Sequence, residues 1–540
     1  MKTCSISLLP VILLATIAVI LIPQVVHSFW YGADFTEIAQ YLDNDAKDAL
    51  TDVLLQDVLP SIDQNIFIND NTYGDSGVTI PDTGEAYAGY TLLNVIVGRL
   101  CGRTAPGSIA PFNSCGALLI DMEGNLVNEW PMMAVPAEIV PGGDVLGFVI
   151  DGPPIGGIPT LMQMDYCGEP VWSWSADTLA RPGGARVHHD IQVKSNQVYH
   201  APDLDTDNAG SREGRVLVLS NHDEFLPQFG FFGIDVPWSN FPLQDDAIYE
   251  VERDGSVSWS WFPADHISEL GFSDEALDAI RFVRSQGIGG PPAGNFGPTD
   301  WAHLNTAGYV GENKMYDMGD ERFHPDNIII DSRTANWIAI IARHTGGGYT
   351  QGDIVWKVGP HFHDGYKENR LNQIIGPHMA HIIPEGLPGE GNVMVFDNGG
   401  MAGYDVLAKG TEGTYPATIR HYSRILEFDP ITLEKVWEYN CPVERVTGKN
   451  SGRYLERKFY SRLISGAQRT PAGTTVITEG MSGRIFEVDE DGKLVWEYIV
   501  PEEFANGVFG IGPGGFLPVT STYRSQRIPY SWLNDAPVCD

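Results

Sequence analysis

From Gly89 onward the chain alternates short apolar runs with clusters of Gly, Pro, Asn and Asp, the signature of many short β-strands joined by turns. Within that pattern one unit recurs. Ala117 to Trp130 is an apolar strand, an acidic turn with glycine, and a second strand ending in tryptophan. The same arrangement returns at Leu161–Trp172, Ile248–Trp259, Ile425–Trp437 and Ile485–Trp496, and more loosely from Trp337 to Trp356. Each unit reads as a β-hairpin, its turn residues supplying the backbone geometry of a tight reversal. Further strands with Pro/Gly starts lie between copies, such as Pro141–Ile150 and Gly391–Phe396. An isolated sheet of this kind cannot bury both faces, whereas six stacked radially can. Six hairpins of one type therefore predict an all-β fold, a six-bladed β-propeller. Two packed β-sandwiches would explain the strands, but not tryptophan at the same hairpin position each time.

The N-terminal region follows a different pattern. Phe35–Leu42 and Ala46–Leu59 carry apolar residues at helical spacing, and Asn69–Glu85 is polar enough to read as a linker. Ahead of them, Lys2 precedes an apolar run from Leu8 to Ile22, Pro23 breaks it, and Val26-His27-Ser28 suits signal-peptidase cleavage. The run is shorter than the roughly 20 apolar residues of a spanning helix. These features predict a signal peptide over 1–28, a partly helical segment and linker over 29–88, the propeller over 89–525, and a tail over 526–540. The protein is expected to be secreted or periplasmic, without stable membrane insertion.

Charge narrows the choice of partners. The chain has 34 Lys+Arg against 70 Asp+Glu, a net charge of −36. Such a surface repels nucleic acid and anionic membranes, and an anionic substrate would need a local positive site. Beyond the signal lie Cys101, Cys115, Cys167, Cys441 and Cys539. An oxidising compartment favours disulfides, and Cys101 with Cys115 could close a short loop. The spacings match no zinc pattern, and Asp203–Asp207 lacks the glycine and closing glutamate of a calcium loop. Gly510–Gly515 fits a dinucleotide glycine pattern but carries Pro513 inside it, so it reads as a turn. No metal is expected.

A propeller gathers loops from every blade around one mouth, so distant histidines can converge. His188 and His189 lie beside Asp190 before an apolar run, His303 follows a Gly/Pro-rich loop, and His378 and His381 open another run.

Here the sequence resembles a known family. Asp300-Trp-Ala-His-Leu-Asn305 is similar to the Trp-x-His-x-Asn motif of the bacterial arylsulfotransferases. Asp326–Arg333, continuing to Ile354–Gly359, resembles that family's next block. Pro377-His378-Met-Ala380, Phe396-Asp-Asn-Gly399 and Tyr422-Ser-Arg424 with Val436–Tyr439 resemble three more, in the same order. The resemblance implies a six-bladed propeller that uses no nucleotide sulfate donor and no cofactor, with aryl sulfates and phenols as its small-molecule partners. It implies His378 as the nucleophile that becomes a sulfohistidine, His303 and Arg333 as sulfate-oxygen ligands, and His189 as completing the pocket. Asn305 would orient a neighbour, with His188 and His381 at the substrate; a homodimer is possible, as in other members. Arg343 imitates the expected arginine, but its spacing to Thr345-Gly346 places it in a turn, so Arg333 is preferred. Pro377 and Thr334 depart from the family pattern. A non-catalytic propeller binding a ligand or protein partner is the alternative.

Overall fold

The computed structural model describes residues 76–540, apart from 101–113, 152–157, 176–185, 195–211, 225–228, 232–233, 237–242, 278–279, 281–299, 363–365, 405–419, 441–443, 448–453, 505–519 and a few single positions. The expected signal peptide, the N-terminal helices, the Asp203–Asp207 turn and the Gly510–Gly515 turn lie outside the described residues.

Six antiparallel sheets form a six-bladed β-propeller. From the channel outwards, blade two is Met133–Ile139, Val145–Asp151, Ile158–Met164 and Pro170–Trp174. Blade three is Arg186–Val193, Val216–Glu224, Leu243–Val251 and Val257–Trp261; blade four is Leu304–Tyr309, Ile328–Ser332, Trp337–Ile341 and Ile354–Val358. Blade five is Pro377–Ile382, Val393–Asp397, Arg424–Phe428 and Lys435–Tyr439. Blade six is Gly466–Arg469, Thr475–Glu479, Arg484–Val488 and Leu494–Ile499. Blade one joins both ends of the chain: the late strand Thr522–Ile528 lies innermost, beside Tyr90–Leu100, Ser114–Ile120 and Leu126–Trp130. The circle is closed by pairing both ends of the chain within one sheet.

All six predicted hairpins are the third and fourth strands of a blade counted from the channel, and their tryptophans bridge neighbours. Trp130 donates its indole N–H to Asp165 O of blade two, and Trp172 and Trp174 donate to Arg253 O and Gly255 O of blade three. Trp261 donates to Gly352 O, Trp356 to Pro430 O, Trp437 to Glu490 O, and Trp496 to Met122 O back in blade one. In each case the acceptor sits at the hairpin turn of the next blade. Four of these blade contacts also hold a guanidinium over an indole: Arg253 on Trp172, Arg343 on Trp259, Arg469 on Trp437 and Arg527 on Trp496. The same arginines reach Gln163, Glu250, Glu427 and Glu487, each paired across the hairpin from that tryptophan. In blade three the two tasks are divided, Trp259 lying under the arginine and Trp261 making the hydrogen bond.

Two predicted boundaries move. Gly77–Ile80, expected as linker, is a strand at the outer edge of blade six, where Val78, Thr79 and Ile80 supply β-branched side chains. The expected tail at 526–540 begins inside the innermost strand of blade one, which ends at Ile528. Beyond it Trp532 is buried in the same cluster as Trp130 and Ile139. Cys539 then forms a disulfide with Cys167 at the turn of blade two, a pairing the spacing did not suggest. Cys115 is disulfide-bonded as well, and Cys101 lies outside the described residues.

Removing the indole donor at the last-to-first contact tests the ring. Trp496→Phe strands the Met122 carbonyl in the interior and should lower the unfolding free energy by about 1–2 kcal/mol. Trp437→Phe should cost less, because the Glu490 carbonyl is at the exposed rim. Denaturant titration of the two variants checks the order.

Candidate active site

The inner strands are irregular at one level of the channel. The pairing register of the innermost strand slips in blades one to five, between Leu93 and Val95, Met133 and Glu138, Val218 and Ser220, Leu304 and Thr306, and His378 and His381. Bulges of this kind re-aim side chains and bend a strand. His189, His303, Met379, Ile464 and Ser465 take positive φ angles of 54°, 47°, 57°, 54° and 100° there. Each costs about 1–3 kcal/mol for a residue other than glycine, so the surroundings must hold it. Polar side chains of the preceding blade do so by accepting backbone N–H groups at this level. Asn94 accepts from Ala137, Asp190 from Ala307, Asp246 from Leu304 and Asp331 from Ala380.

His378 is 2% exposed, the second residue of the inner strand of blade five. Asn398 donates both amide hydrogens to backbone carbonyls, Ser461 O and Ile464 O, each at 2.7 Å. Its Oδ1 therefore faces His378 Nδ1, 2.7 Å away, and that nitrogen must carry the proton. The lone pair of His378 is then on Nε2, where it accepts the Ile464 N–H at 3.1 Å. Burial, and after it the guanidinium of Arg333, holds this imidazole well below its ordinary pKa, so it is neutral. Arg333 follows the second strand of blade four, and its Cγ is 3.8 Å from where a side chain on Gly376 would begin. Glycine at 376 suits its left-handed φ of 63°, and Arg333 packs beside it at ordinary contact distance.

His189 and His303 complete the cluster, with ring centroids 4.7 Å apart, and Tyr523 packs 5.6 Å from His189. Asp300 Oδ2 is 2.5 Å from His303 Nδ1. His188 Nδ1 is 2.6 Å from His189 Nδ1, and its Nε2 is 3.2 Å from Asp246 Oδ1. Burial, followed by the charges of His188, His303, His378 and Arg524, keeps His189 well below its ordinary pKa. Arg524, from the closing strand of blade one, pairs with Asp190 at 2.8 Å and donates to the Asn305 carbonyl.

The sequence-predicted residues therefore divide. His378, His303, His189, His188 and Arg333 share one cluster, and Asn305 touches it at the Pro377 carbonyl, 3.5 Å from its amide. His381 does not join them. It is bonded to Met379 O and lines a neighbouring cavity with Asp190, Gln192, Thr306 and Tyr309; burial lowers its pKa to about 4. Arg343 is held at Glu250 and Trp259 between blades three and four, in keeping with the preference for Arg333. Asn398, Arg524 and Tyr523 were not predicted as site residues. Asn398 stood in a quoted motif without a role, and Arg524 lay beside the boundary of the supposed tail. Among the described residues no three His, Cys, Asp or Glu side chains are placed to hold a metal ion.

The family model described as Arylsulfotransferase (ASST) matches residues 239–500. Over that stretch the chain is similar to the arylsulfotransferase family. No curated protein sequence matches it. Among solved structures it is similar to a protein of unknown function from Bacteroides caccae, at 11% identity over 81% of this chain and 98% of that one, with a TM-score of 0.37. It is also similar to the periplasmic gluconolactonase PpgL of Pseudomonas aeruginosa, at 10% identity over 82% and 97% of the two chains, with a TM-score of 0.30. Likenesses this distant carry no information on function. The family match supports aryl sulfotransferase activity in general. His303, Arg333, His378 and Asn398 fall within the matched stretch, while His188, His189, Tyr523 and Arg524 come from blades three and one outside it.

The charge state of His378 is open to direct measurement. Its imidazole should stay neutral well below the ordinary value of 6.5. Arg333→Met removes a neighbouring positive charge, so protonation becomes easier and the pKa should rise. Histidine NMR titration of both proteins gives the sign; an unchanged or lower value in the variant would count against the assignment.

Proposed function

We propose that this arylsulfotransferase-family protein moves a sulfuryl group from an aryl sulfate to a phenolic acceptor in two steps through His378. The observation that carries this reading is the fixed tautomer of a buried neutral histidine, with its Nε2 lone pair directed away from Asn398 and an arginine at its side. In the first step Nε2 attacks sulfur, the S–O bond to the aryl group breaks, and the leaving phenolate takes a proton. In the second, the acceptor phenol gives up a proton and its oxygen attacks sulfur. The N–S bond breaks and the lone pair returns to Nε2. Splitting the transfer in this way is covalent catalysis.

Charge develops on the sulfuryl oxygens and on the leaving oxygen. Arg333 and His303 supply positive or donor groups for the former, in a site shielded from water. As Nε2 turns to sulfur, the Ile464 N–H it releases becomes a further donor. The left-handed backbone at Ile464, unusual for a β-branched residue, is what aims that N–H inward. His189 stands beside His303 to exchange the proton with the phenolic oxygen. No nucleotide or cofactor enters this scheme. Export from the cytoplasm belongs to the same proposal, supported by the N-terminal apolar run and by the Cys167–Cys539 disulfide.

Incubation with 4-nitrophenyl sulfate and phenol tests the reading. The unaltered protein should release nitrophenolate faster when phenol is added, and without phenol should accumulate one sulfuryl group on His378, visible by peptide mass spectrometry. His378→Ala should lose at least about 10³-fold in turnover. A folded variant that reacts as fast as its parent, or a parent that phenol does not accelerate, would reject the proposal in favour of a propeller that only binds.

A further inference from the structure

In a regular strand adjacent side chains point to opposite faces. His188 and His189 are adjacent, yet their Nδ1 atoms are 2.6 Å apart. The φ of 54° at His189, inside the register slip of blade three, is what turns the two rings together. Positive φ recurs at this level of the channel, and at His189 it has the particular effect of bringing two titratable rings into contact. The next group is Asp246, whose Oδ1 lies 3.2 Å from His188 Nε2, in reach but not aligned as a hydrogen bond here, and whose Oδ2 is fixed by the Leu304 N–H at 2.9 Å. Three titratable groups thus run in series from the third strand of blade three to the centre of the channel.

We propose that Asp246, His188 and His189 form a proton relay that switches the site between acid and base in the two halves of the transfer. This rests on the sulfotransferase reading given above. In the acid state Asp246 carries a proton on Oδ1 and donates it to His188 Nε2; His188 Nδ1–H donates to His189 Nδ1; His189 carries its proton on Nε2. When the aryl S–O bond breaks, His189 Nε2–H protonates the leaving phenolate. His189 Nδ1 takes the proton from His188 Nδ1, and His188 Nε2 takes the one from Asp246. The base state has an Asp246 carboxylate, His188 protonated on Nε2, and His189 protonated on Nδ1 with its lone pair on Nε2. That lone pair accepts the proton of the incoming phenol, and each shift reverses. One proton leaves and one returns, and no imidazolium is formed at any stage.

The surroundings suit such a neutral relay. His189 is faced by His303, His378 and Arg524, and by the Tyr523 ring, so an added positive charge there is opposed by its neighbours and by burial. Asp246 is faced by His188, His303 and the carboxylates of Asp245 and Asp300, and burial with the Asp300 charge favours its protonated form. The base of the relay is therefore a group that readily holds a proton, and its tip is one that resists becoming a cation. Asp246 and His188 do not touch substrate; they are positioning residues acting through His189.

Donors with different leaving groups separate a relay from a structural role. Phenolate needs protonation far more than 4-nitrophenolate. Asp246→Asn and His188→Gln should each slow turnover of phenyl sulfate by about 100-fold and of 4-nitrophenyl sulfate by less than about tenfold. Equal losses on both donors, or none, overturn the relay. If neither variant folds, the unaltered protein still decides. Concerted movement of several protons makes turnover of phenyl sulfate bow downwards in mixtures of light and heavy water, and a straight line overturns it. A parent that releases phenol from neither donor instead rejects the sulfotransferase reading itself.

Discussion

The contact on which this structure depends is a tryptophan reaching from each blade into the turn of the next. Six such contacts run in one rotational sense, and the last returns from Trp496 to Met122. Each indole hydrogen bond contributes only about 0.5–1.5 kcal/mol net. At four of the junctions an arginine over an indole adds a similar amount, and at three of these a cross-hairpin glutamate neutralises it. Their effect is geometric as much as energetic. A ring closes only if every blade is set at the same angle to the next, and one donor–acceptor pair per junction fixes that angle. The C-terminal strand of blade one then carries Tyr523 and Arg524 to the centre, so closure of the fold and completion of the site are one event.

Regularity at the rim permits irregularity at the centre. The outer hairpins bury apolar side chains between blades, while the inner strands slip register and adopt left-handed backbone at His189, His303, Met379 and Ile464. A slip leaves backbone N–H groups without their ladder partners, and an unpaired N–H in the interior is costly. Asn94, Asp190, Asp246 and Asp331 remove that cost from the neighbouring blade. These polar residues therefore belong to the fold and to the site together. Asp246 shows the overlap most plainly, with one oxygen on the backbone of blade four and the other facing His188.

This division explains what could be read from the sequence. Tryptophan at a fixed hairpin position follows from a repeated contact, so the six hairpins were visible in the chain. His303, Arg333 and His378 sit in motifs whose local spacing is set by a loop entering a strand, and they too were legible. The pairing of Cys167 with Cys539 was not, because it depends on where a segment lands after the ring has closed. Neither was Arg524, whose partners Asp190 and Asn305 lie 334 and 219 residues away in the chain. His381 was read with His378 because they share a strand, but the bulge between them directs His381 to Met379 O and the adjacent cavity.

The two central arginines differ in what they can do for an anion. Arg524 is committed to Asp190 and to the Asn305 carbonyl, both buried, so most of its charge is balanced inside the protein. A sulfuryl group would have to break a buried ion pair to use it fully, and separating such a pair costs several kcal/mol. Arg333 is half-buried at the end of its strand and leans over Gly376 towards His378. Burial lowers the pKa of His378 first, and the charges of Arg333 and then of Arg524 lower it further. In the proposed transfer the guanidinium that attracts the sulfate would also help to keep His378 unprotonated. On a chain of net charge −36, that local positive potential would let an anion approach a histidine held neutral.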